Sequence, residues 1–261
     1  MLFDTHAHYD DERFDEDRDA LLASMPENNV GLILNPGCDA ETSRKAVGYA
    51  NRYPFVYAAV GLHPENIEDG WTQTLDEIRT LAQSEPRVRA IGEIGLDYYW
   101  EKEERARARQ QVVFARQMEL ARELKLPVIV HDRDAHADCM EITRRYPDVI
   151  GVYHCYAGHI EMARELLERG YYLSFTGVIT FKNAARLAEL VPSIPDDRIL
   201  IETDCPYLTP HPFRGQRNDS SYMLYTAEKA AELRKISPEA LCEATVRNAV
   251  ALFSKTGITL P

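Results

Sequence analysis

The sequence lacks any apolar run long enough to cross a membrane, for which about 18 consecutive residues are needed. Its first residues also lack the basic segment and the apolar segment that together mark a secretory signal. We therefore expect a cytoplasmic protein that has no membrane among its partners.

Cysteine pairs are missing as well. The chain has five cysteines, an odd number, and no two of them are spaced as Cys-x-x-Cys. This pattern argues against a disulfide framework and against a zinc site built from thiolates. We expect reduced thiols at Cys38, Cys139, Cys155, Cys205 and Cys242.

Basic side chains are in the minority. With 30 Lys and Arg against 42 Asp and Glu, the formal net charge is -12. A protein that coats nucleic acid regardless of its sequence neutralises many phosphates with Lys and Arg, so that class is disfavoured. A nucleic-acid substrate held locally is still compatible, because divalent cations and a few arginines can reverse the field within one cleft.

The chain is long enough to form a large hydrophobic core. Its 261 residues are 45% hydrophobic and 28% charged, which is ordinary for a globular protein. No linker divides it, and barrels of about 250 residues routinely form one domain. We therefore predict a single domain spanning residues 1–261.

Eight short apolar runs rich in Val, Ile, Leu and Tyr predict strands. They cover residues 2–5, 30–34, 55–60, 88–94, 127–130, 149–153, 171–175 and 199–203. Segments with helical periodicity lie between them, and in one of these Phe114, Met118 and Ala121 form an apolar row. The last helix is predicted to begin with Ser237 as its N-cap and Pro238 in its first turn.

This alternation of strands and helices predicts an α/β fold with a parallel sheet covered by helices. Eight such units suit a (β/α)8 TIM barrel. The main alternative is an open, doubly wound sheet. That fold usually carries a Gly-rich phosphate loop after its first strand, where this chain has His6-Ala7-His8.

His6 and His8 directly follow the first predicted strand. Along an extended backbone, side chains two residues apart project to the same side, so both imidazoles could bind one metal ion. The pair alone is ambiguous, because imidazole is also an ordinary half-buried side chain.

Four further metal-binding side chains stand at the ends of other predicted strands. They are Glu93, His131, His154 and Asp204. In a parallel barrel these ends share one rim, where imidazoles and carboxylates would repel or remain unsatisfied without a cation. We therefore predict a metal centre of six ligands, and we leave out His136 and His159, which begin helical segments.

The number of ligands indicates two divalent ions. Nitrogen and oxygen donors without thiolate suit Zn²⁺, Mn²⁺ or Mg²⁺ and do not choose among them. One ion would be held by His6, His8 and Asp204. The other would be held by His131 and His154, with Glu93 as a bridge. Such a pair activates water and clamps both oxygens of a displacement at phosphorus, so hydrolysis is the predicted chemistry.

Six motifs, in their order and spacing, resemble one known family. They are Asp4-Thr5-His6-Ala7-His8, Gly61-Leu62-His63-Pro64, Gly92-Glu93-Ile94-Gly95-Leu96-Asp97-Tyr98, His131-x-Arg133-x-Ala135, His154-Cys155-Tyr156-Ala157-Gly158 and Glu202-Thr203-Asp204-Cys205-Pro206-Tyr207-Leu208. From about the first residue to about Phe253, the chain resembles the TatD-type metal-dependent deoxyribonucleases of the amidohydrolase-like barrels.

The resemblance implies a TIM barrel with a distorted mouth of the metal-dependent-hydrolase type. It also implies a metal-dependent deoxyribonuclease with two divalent ions, working as a 3′–5′ exonuclease. It implies DNA as the partner, single-stranded or at a 3′ end. We expect no obligate protein partner, and a monomer is favoured. Carried over by position, the metal ligands are His6, His8, Glu93, His131, His154 and Asp204. Glu93 and Asp204 are also the implied catalytic residues, since Asp204 would steer or deprotonate the attacking water.

The resemblance also implies substrate contacts from His63, Arg133 and Arg217, with Arg214 as a weaker candidate. A guanidinium presents a planar fork of donors that suits phosphate oxygens. The chain departs from the family twice. It has Arg217-Asn218-Asp219-Ser220 in place of Arg-Asn-Glu-Pro, and Ala157 in place of Ser or Thr.

Two alternatives remain open. A barrel hydrolase for a non-DNA ester or amide, such as the ester of an aminoacyl-tRNA, could use the same metals. Many amide and amine hydrolases bridge their metals with a lysine at the end of strand four, where this chain has Glu93. The second alternative is an inactive metal-binding relative, which is disfavoured because Glu93 and Asp204 are both present.

Overall fold

Eight strands alternate with helices along residues 1–254, which are the residues that this computed structural model describes. The strands are β1 (Leu2–Asp4), β2 (Val30–Pro36), β3 (Val56–Val60), β4 (Val88–Asp97), β5 (Val128–Arg133), β6 (Gly151–Tyr153), β7 (Tyr172–Phe175) and β8 (Ile199–Ile201). Residues 255–261 of the predicted domain lie outside the described residues.

The helices follow the strands in chain order. They are α1 (Arg18–Ser24), α2 (Ala40–Arg52), α3 (Trp71–Ser84), α4 (Glu104–Leu124), α5 (His136–Arg144), α6 (Ile160–Glu168), α7 (Ala185–Leu190), α8 (Met223–Arg234) and α9 (Pro238–Phe253). Ser237 accepts a hydrogen bond from Ala240 N at 3.1 Å, and Pro238 stands in the first turn, so the predicted start of the last helix is confirmed.

The eight strands form one sheet in chain order, and the pairs β1–β2, β3–β4, β4–β5, β5–β6 and β7–β8 are parallel. A parallel bridge between Ala7 and Cys205 joins the chain just after β1 to the chain just after β8. The predicted (β/α)8 barrel is therefore confirmed, and the open-sheet alternative is not supported.

Strands β4 and β5 extend three residues beyond their predicted ends. Their parallel register continues from Ile94 opposite Val130 to Asp97 opposite Arg133. His131, predicted to follow its strand, therefore lies within β5, and Glu93 lies within β4 as predicted. The backbone hydrogen bonds of both strands hold these two side chains in place.

Two compact units make up the chain. The first contains residues 1–35, 155–167 and 172–254, and in its core the ring centroids of Phe3 and Phe253 are 6.2 Å apart. The second contains residues 36–154 and 168–171. The division does not test the prediction of a single domain, which stays a prediction.

The apolar row predicted on α4 is buried within the second unit. Phe114 is 1% exposed, and Met118 and Ala121 are fully buried. Because these positions recur every three or four residues, they face one side of the helix. Among residues 1–254, we find no helix with both the length and the apolar character needed to cross a membrane.

Candidate metal centre

The first group of predicted ligands lies in the first unit and consists of His6, His8 and Asp204, here called the Asp204 cluster. The two imidazole Nε2 atoms are 3.0 Å apart, as expected for side chains on the same side of an extended segment. Asp204 Oδ1 lies 3.8 Å from His6 Nε2 and 3.5 Å from His8 Nε2. The structure thus brings together all three ligands predicted for one ion.

The backbone conformation at Asp204 and one backbone hydrogen bond fix its position in this cluster. Asp204 has a left-handed φ of 57°, a conformation that Asp tolerates better than most residues. Its N–H donates to His6 O at 2.8 Å, which ties the ligand after β8 to the ligand after β1.

The buried carboxylate of Asp4 accepts hydrogen bonds from residues next to the Asp204 cluster and from His6 within it. It accepts hydrogen bonds from the Thr203 hydroxyl at 2.6 Å, the Ser220 hydroxyl at 2.7 Å and His6 N at 3.3 Å. Burial raises the pKa of Asp4 to about 6, although these hydrogen bonds lower it. A network of this kind fixes the backbone that carries His6 and Asp204.

The second group of predicted ligands lies in the second unit and consists of Glu93, His131 and His154, here called the Glu93 cluster. Glu93 Oε1 is 2.9 Å from His131 Nδ1 and 2.8 Å from His154 Nε2. The two imidazole nitrogens are 3.2 Å apart. Glu93 is only 3% exposed, so one buried carboxylate oxygen serves both imidazoles.

Asp97 orients His131 from its other side. Asp97 Oδ2 lies 3.1 Å from His131 Nε2, which leaves His131 Nδ1 directed at Glu93. Burial lowers the pKa of His131, but the hydrogen bonds to Asp97 and Glu93 outweigh it and raise that pKa to about 9. A carboxylate behind an imidazole is the usual outer partner of a metal-binding histidine.

His63, predicted to face the substrate, lies beside the Glu93 cluster. Its Nε2 atom is 3.5 Å from Glu93 Oε1, and its ring centroid is 4.4 Å from that of His131. Its Nδ1 atom accepts a hydrogen bond from Glu65 N at 3.2 Å, so the neutral ring carries its proton on Nε2. Burial lowers the pKa of His63, which favours this neutral form.

Gly95 allows β4 and β5 to approach next to these ligands. Its φ is 146°, and a Cβ atom there would lie 1.9 Å from the carbonyl oxygen of His131. Only glycine fits this position without moving the backbone that carries His131.

The three arginines predicted as substrate contacts, Arg133, Arg217 and the weaker candidate Arg214, have different surroundings. Arg133 is exposed at the end of β5, with its Cζ atom 4.0 Å from the ring centroid of Tyr99. Arg217 donates two hydrogen bonds to the carboxylate of Asp17, at 2.8 and 2.6 Å. Arg214 lies over the ring of Phe181 at 4.0 Å. Their roles toward a substrate stay predictions.

Ser220, which stands where the family usually has proline, has a structural role. Its hydroxyl donates to Asp4, and its N–H donates to the Tyr9 hydroxyl at 3.1 Å. Proline has no N–H and no hydroxyl, so it could make neither bond. The altered loop therefore contributes to the support of the Asp204 cluster.

Sequence reasoning missed the roles of Asp4, Asp97 and Glu202. Glu202 is fully buried and accepts a hydrogen bond from Cys155 N at 2.7 Å, the residue after His154. Cys38 was predicted as a reduced thiol, and its Sγ atom lies 4.0 Å from Glu93 Oε2. A signal was available for two of them, since Asp4 and Glu202 each stand two residues before a predicted ligand, His6 and Asp204 respectively.

The donors fit a divalent cation. Within the second unit, His63, Glu93 and His131 offer ligand atoms that lie within 4.8 Å of one another. All the donors in the two clusters are imidazole nitrogens or carboxylate oxygens, which suit Zn²⁺, Mn²⁺ and Mg²⁺. The fold and these clusters together define a class of protein, the barrel hydrolases that depend on metal ions.

The family comparison agrees with this class. Residues 3–254 match the model of the family described as TatD related DNase. The chain belongs to this family, and it is a metal-dependent hydrolase that acts on ester bonds. The family resemblance predicted from the sequence motifs is therefore confirmed.

Several relatives match over nearly their whole length. The chain is 44% identical to the "uncharacterized metal-dependent hydrolase YabD" of Bacillus subtilis, with 97% of this chain and 99% of that protein covered. It is 35% identical to the "3'-5' ssDNA/RNA exonuclease TatD" of Cronobacter sakazakii, covering 97% and 98%. The crystal structure of YJJV, a TatD homolog from Escherichia coli, superposes with a TM-score of 0.89 at 29% identity, covering 97% and 98%.

Proposed function

We propose that this protein is a nuclease that removes nucleotides from the 3′ end of single-stranded DNA by metal-dependent hydrolysis of phosphodiester bonds. The observation that carries the proposal is the shared oxygen of Glu93, 2.9 Å from His131 Nδ1 and 2.8 Å from His154 Nε2. A relative 35% identical bears the name of a 3′–5′ exonuclease of single-stranded DNA and RNA, which supports the choice of substrate.

Two divalent ions are part of the proposal, one at the Asp204 cluster and one at the Glu93 cluster. Bound divalent ions lower the pKa of water and neutralise charge that develops on phosphate oxygens. The metal ligands would be His6, His8, Glu93, His131, His154 and Asp204. The bridging role of Glu93 stays a prediction, as does the identity of the ions.

The chain's own residues would carry the remaining steps. The Asp204 carboxylate would orient the attacking water and accept its proton. His63 holds a proton on Nε2, since its Nδ1 atom accepts from Glu65 N at 3.2 Å, and it would donate a hydrogen bond to the scissile phosphate. Arg133 would bind non-bridging phosphate oxygens. A monomeric, cytoplasmic enzyme completes the proposal.

A labelled-strand experiment tests this function. The metal-loaded protein is incubated with single-stranded DNA that carries a label at the 3′ end or at the 5′ end. We expect early release of labelled mononucleotides from the 3′ label and a ladder of shortened strands from the 5′ label. An RNA strand and an aminoacyl ester are run in parallel to measure preference.

Matched variants assign the activity to the site. Glu93→Gln removes a ligand charge while keeping the size of the side chain, and it should abolish release of the label. Glu243→Gln makes the same change at an exposed position of α9 and should leave the activity intact. No cleavage by the wild type under Mg²⁺, Mn²⁺ or Zn²⁺, or full cleavage by Glu93→Gln, would contradict the proposal.

A further inference from the structure

Two large aromatic rings are exposed directly after β4. Tyr99 is 44% exposed and Trp100 is 61% exposed, although rings of this size are usually well buried. Their centroids are 4.7 Å apart with an interplanar angle of 83°, so the edge of one ring meets the face of the other. This arrangement leaves much of the Trp100 ring in contact with solvent.

Arg133 completes a surface that we call the aromatic patch, formed by Tyr99, Trp100 and Arg133. The guanidinium carbon lies 4.0 Å from the Tyr99 centroid and 5.5 Å from the Trp100 centroid. Within residues 1–254, Arg133 forms no ion pair with a carboxylate. Arg133 is exposed, so its N–H groups are available to donate to an anionic ligand.

Further cations lie beside the aromatic patch. Lys102 Nζ is 5.6 Å from the Tyr99 centroid, and the Arg107 guanidinium lies 4.5 Å from the Tyr98 centroid. Both side chains also donate to the carbonyl oxygen of Tyr98, at 2.7 and 3.1 Å. Glu101, Glu103 and Glu104 belong to the same segment, so Lys102 and Arg107 add single cationic groups near the patch and do not form a broad basic surface.

The aromatic patch is connected to the Glu93 cluster by two hydrogen bonds. Trp100 N donates to Asp97 Oδ1 at 2.9 Å, and Asp97 Oδ2 lies 3.1 Å from His131 Nε2. Arg133 follows His131 by two residues on β5. The patch therefore lies close to the group of residues that would hold the reacting phosphate.

We propose that the aromatic patch binds single-stranded nucleic acid, with a base stacked on Trp100 and a phosphate bound by Arg133. Exposed aromatic rings with neighbouring cations are the common means of binding single strands, because every base has a flat apolar face. This inference rests on the proposed function, since it states how that substrate is held.

Strands with and without bases separate stacking from charge. Binding of a short oligothymidylate and of an abasic strand with the same number of phosphates is measured in EDTA, so that cleavage plays no part. Alanine substitution at a stacking residue typically costs about 1–3 kcal/mol per base, which is about 5-fold to 150-fold in affinity. We expect Trp100→Ala to weaken oligothymidylate binding within this range and to leave binding of the abasic strand unchanged.

Further variants test whether the aromatic ring of Trp100 is what binds the bases. Trp100→Phe should restore most of the preference for bases, because phenylalanine keeps a ring, whereas Trp100→Leu should not. Val112→Ala removes an exposed apolar side chain from α4, where Val112 is 51% exposed, and should change neither affinity. In a Trp71→Phe background, Trp100 is the remaining tryptophan, and oligothymidylate should quench its fluorescence.

Three results would overturn the inference. They are equal affinity of Trp100→Ala and wild type for oligothymidylate, equal losses for both kinds of strand, and a wild-type dimer that Trp100→Ala dissociates. The last result would assign the patch to a second copy of the chain. Because binding is measured without metal, a base preference that depends on Trp100 would stand even if the labelled-strand experiment showed no nuclease activity.

Discussion

The Glu93 cluster and the Asp204 cluster use the same kinds of donor but hold them differently. In the Glu93 cluster, carboxylate and imidazole atoms are 2.8 and 2.9 Å apart, which is hydrogen-bond distance. In the Asp204 cluster the corresponding distances are 3.5 and 3.8 Å, and the shortest contact joins two imidazole nitrogens at 3.0 Å.

The two clusters also differ in what holds their side chains. A proton on His131 satisfies Glu93 and Asp97 together, and those hydrogen bonds raise the pKa of His131 to about 9. In the Asp204 cluster the ligands are held instead by the backbone and by the Asp4 network beneath them. We therefore expect substitutions in the Glu93 cluster to change metal binding by changing the charge of the cluster. Substitutions in the Asp204 cluster should act by displacing the side chains that the backbone and Asp4 hold in place.

The largest effect is expected from removing the charge of Glu93. Glu93→Gln should lower kcat/KM for a phosphodiester by more than about 100-fold, above the range typical of outer partners of metal ligands. Asp204→Asn should lower kcat more than it lowers metal content, because its oxygen is farther from both imidazoles. Kinetics and elemental analysis check both variants. Equal loss of metal in the two would remove the distinction between the clusters.

A glycine substitution should disturb the Glu93 cluster without changing a donor. Gly95→Ala places a methyl group 1.9 Å from the His131 carbonyl oxygen, so the strands must move apart. We expect the free energy of unfolding to fall by at least about 2 kcal/mol. Gly48→Ala on α2, where a Cβ has no neighbour within 4 Å, is the control and should be neutral or stabilising. Denaturant unfolding measures both, and equal stability of the two variants would contradict the account.

The supporting carboxylates should matter less than the ligands. Asp97→Asn removes the charge that orients His131, and outer partners of this kind typically contribute about 10-fold to 100-fold to metal affinity or activity. Asp4→Asn should act on stability as well, because Asp4 accepts hydrogen bonds from Thr203, Ser220 and His6. Metal titrations and unfolding curves compare the two. A metal affinity unchanged in Asp97→Asn would argue against its role.

The smallest expected effect, taken over one pH unit, is the dependence of metal affinity on pH. Without metal, the pKa of His131 is raised to about 9, so at neutral pH the imidazole is protonated and must lose a proton to bind a cation. Affinity should rise by up to about tenfold per pH unit from pH 7 and level off near pH 9. Asp97→Asn should flatten this slope. Titrations at pH 7, 8 and 9 measure it, and a constant affinity would contradict the proton's role.

The barrel and the two clusters of predicted ligands could be predicted from the sequence because residues of the metal-binding types stand at the predicted strand ends. The apolar runs alternate with helical periodicity, and His6, His8, His131, His154 and Asp204 each follow or end one of them. Parallel strands bring such residues to one edge, so the chain order alone predicts which side chains meet.

The side-chain partners of Asp97, Arg133 and Arg217 could not be predicted from the sequence. That Asp97 contacts His131 rather than capping a helix depends on the register of β4 and β5, which continues past their predicted ends. Polar residues such as Asp132 interrupt the apolar pattern there, so the extension could not be read from hydropathy. The partners of Arg133 and Arg217 are likewise set by loop conformation, since long side chains reach many neighbours and sequence spacing does not choose among them.

The central claim is that each cluster takes one divalent ion, and calorimetric titration of the metal-free protein with Mn²⁺ tests it most directly. We predict two equivalents per wild-type chain and fewer for Glu93→Gln. One equivalent, or none, in the wild-type protein would contradict the claim.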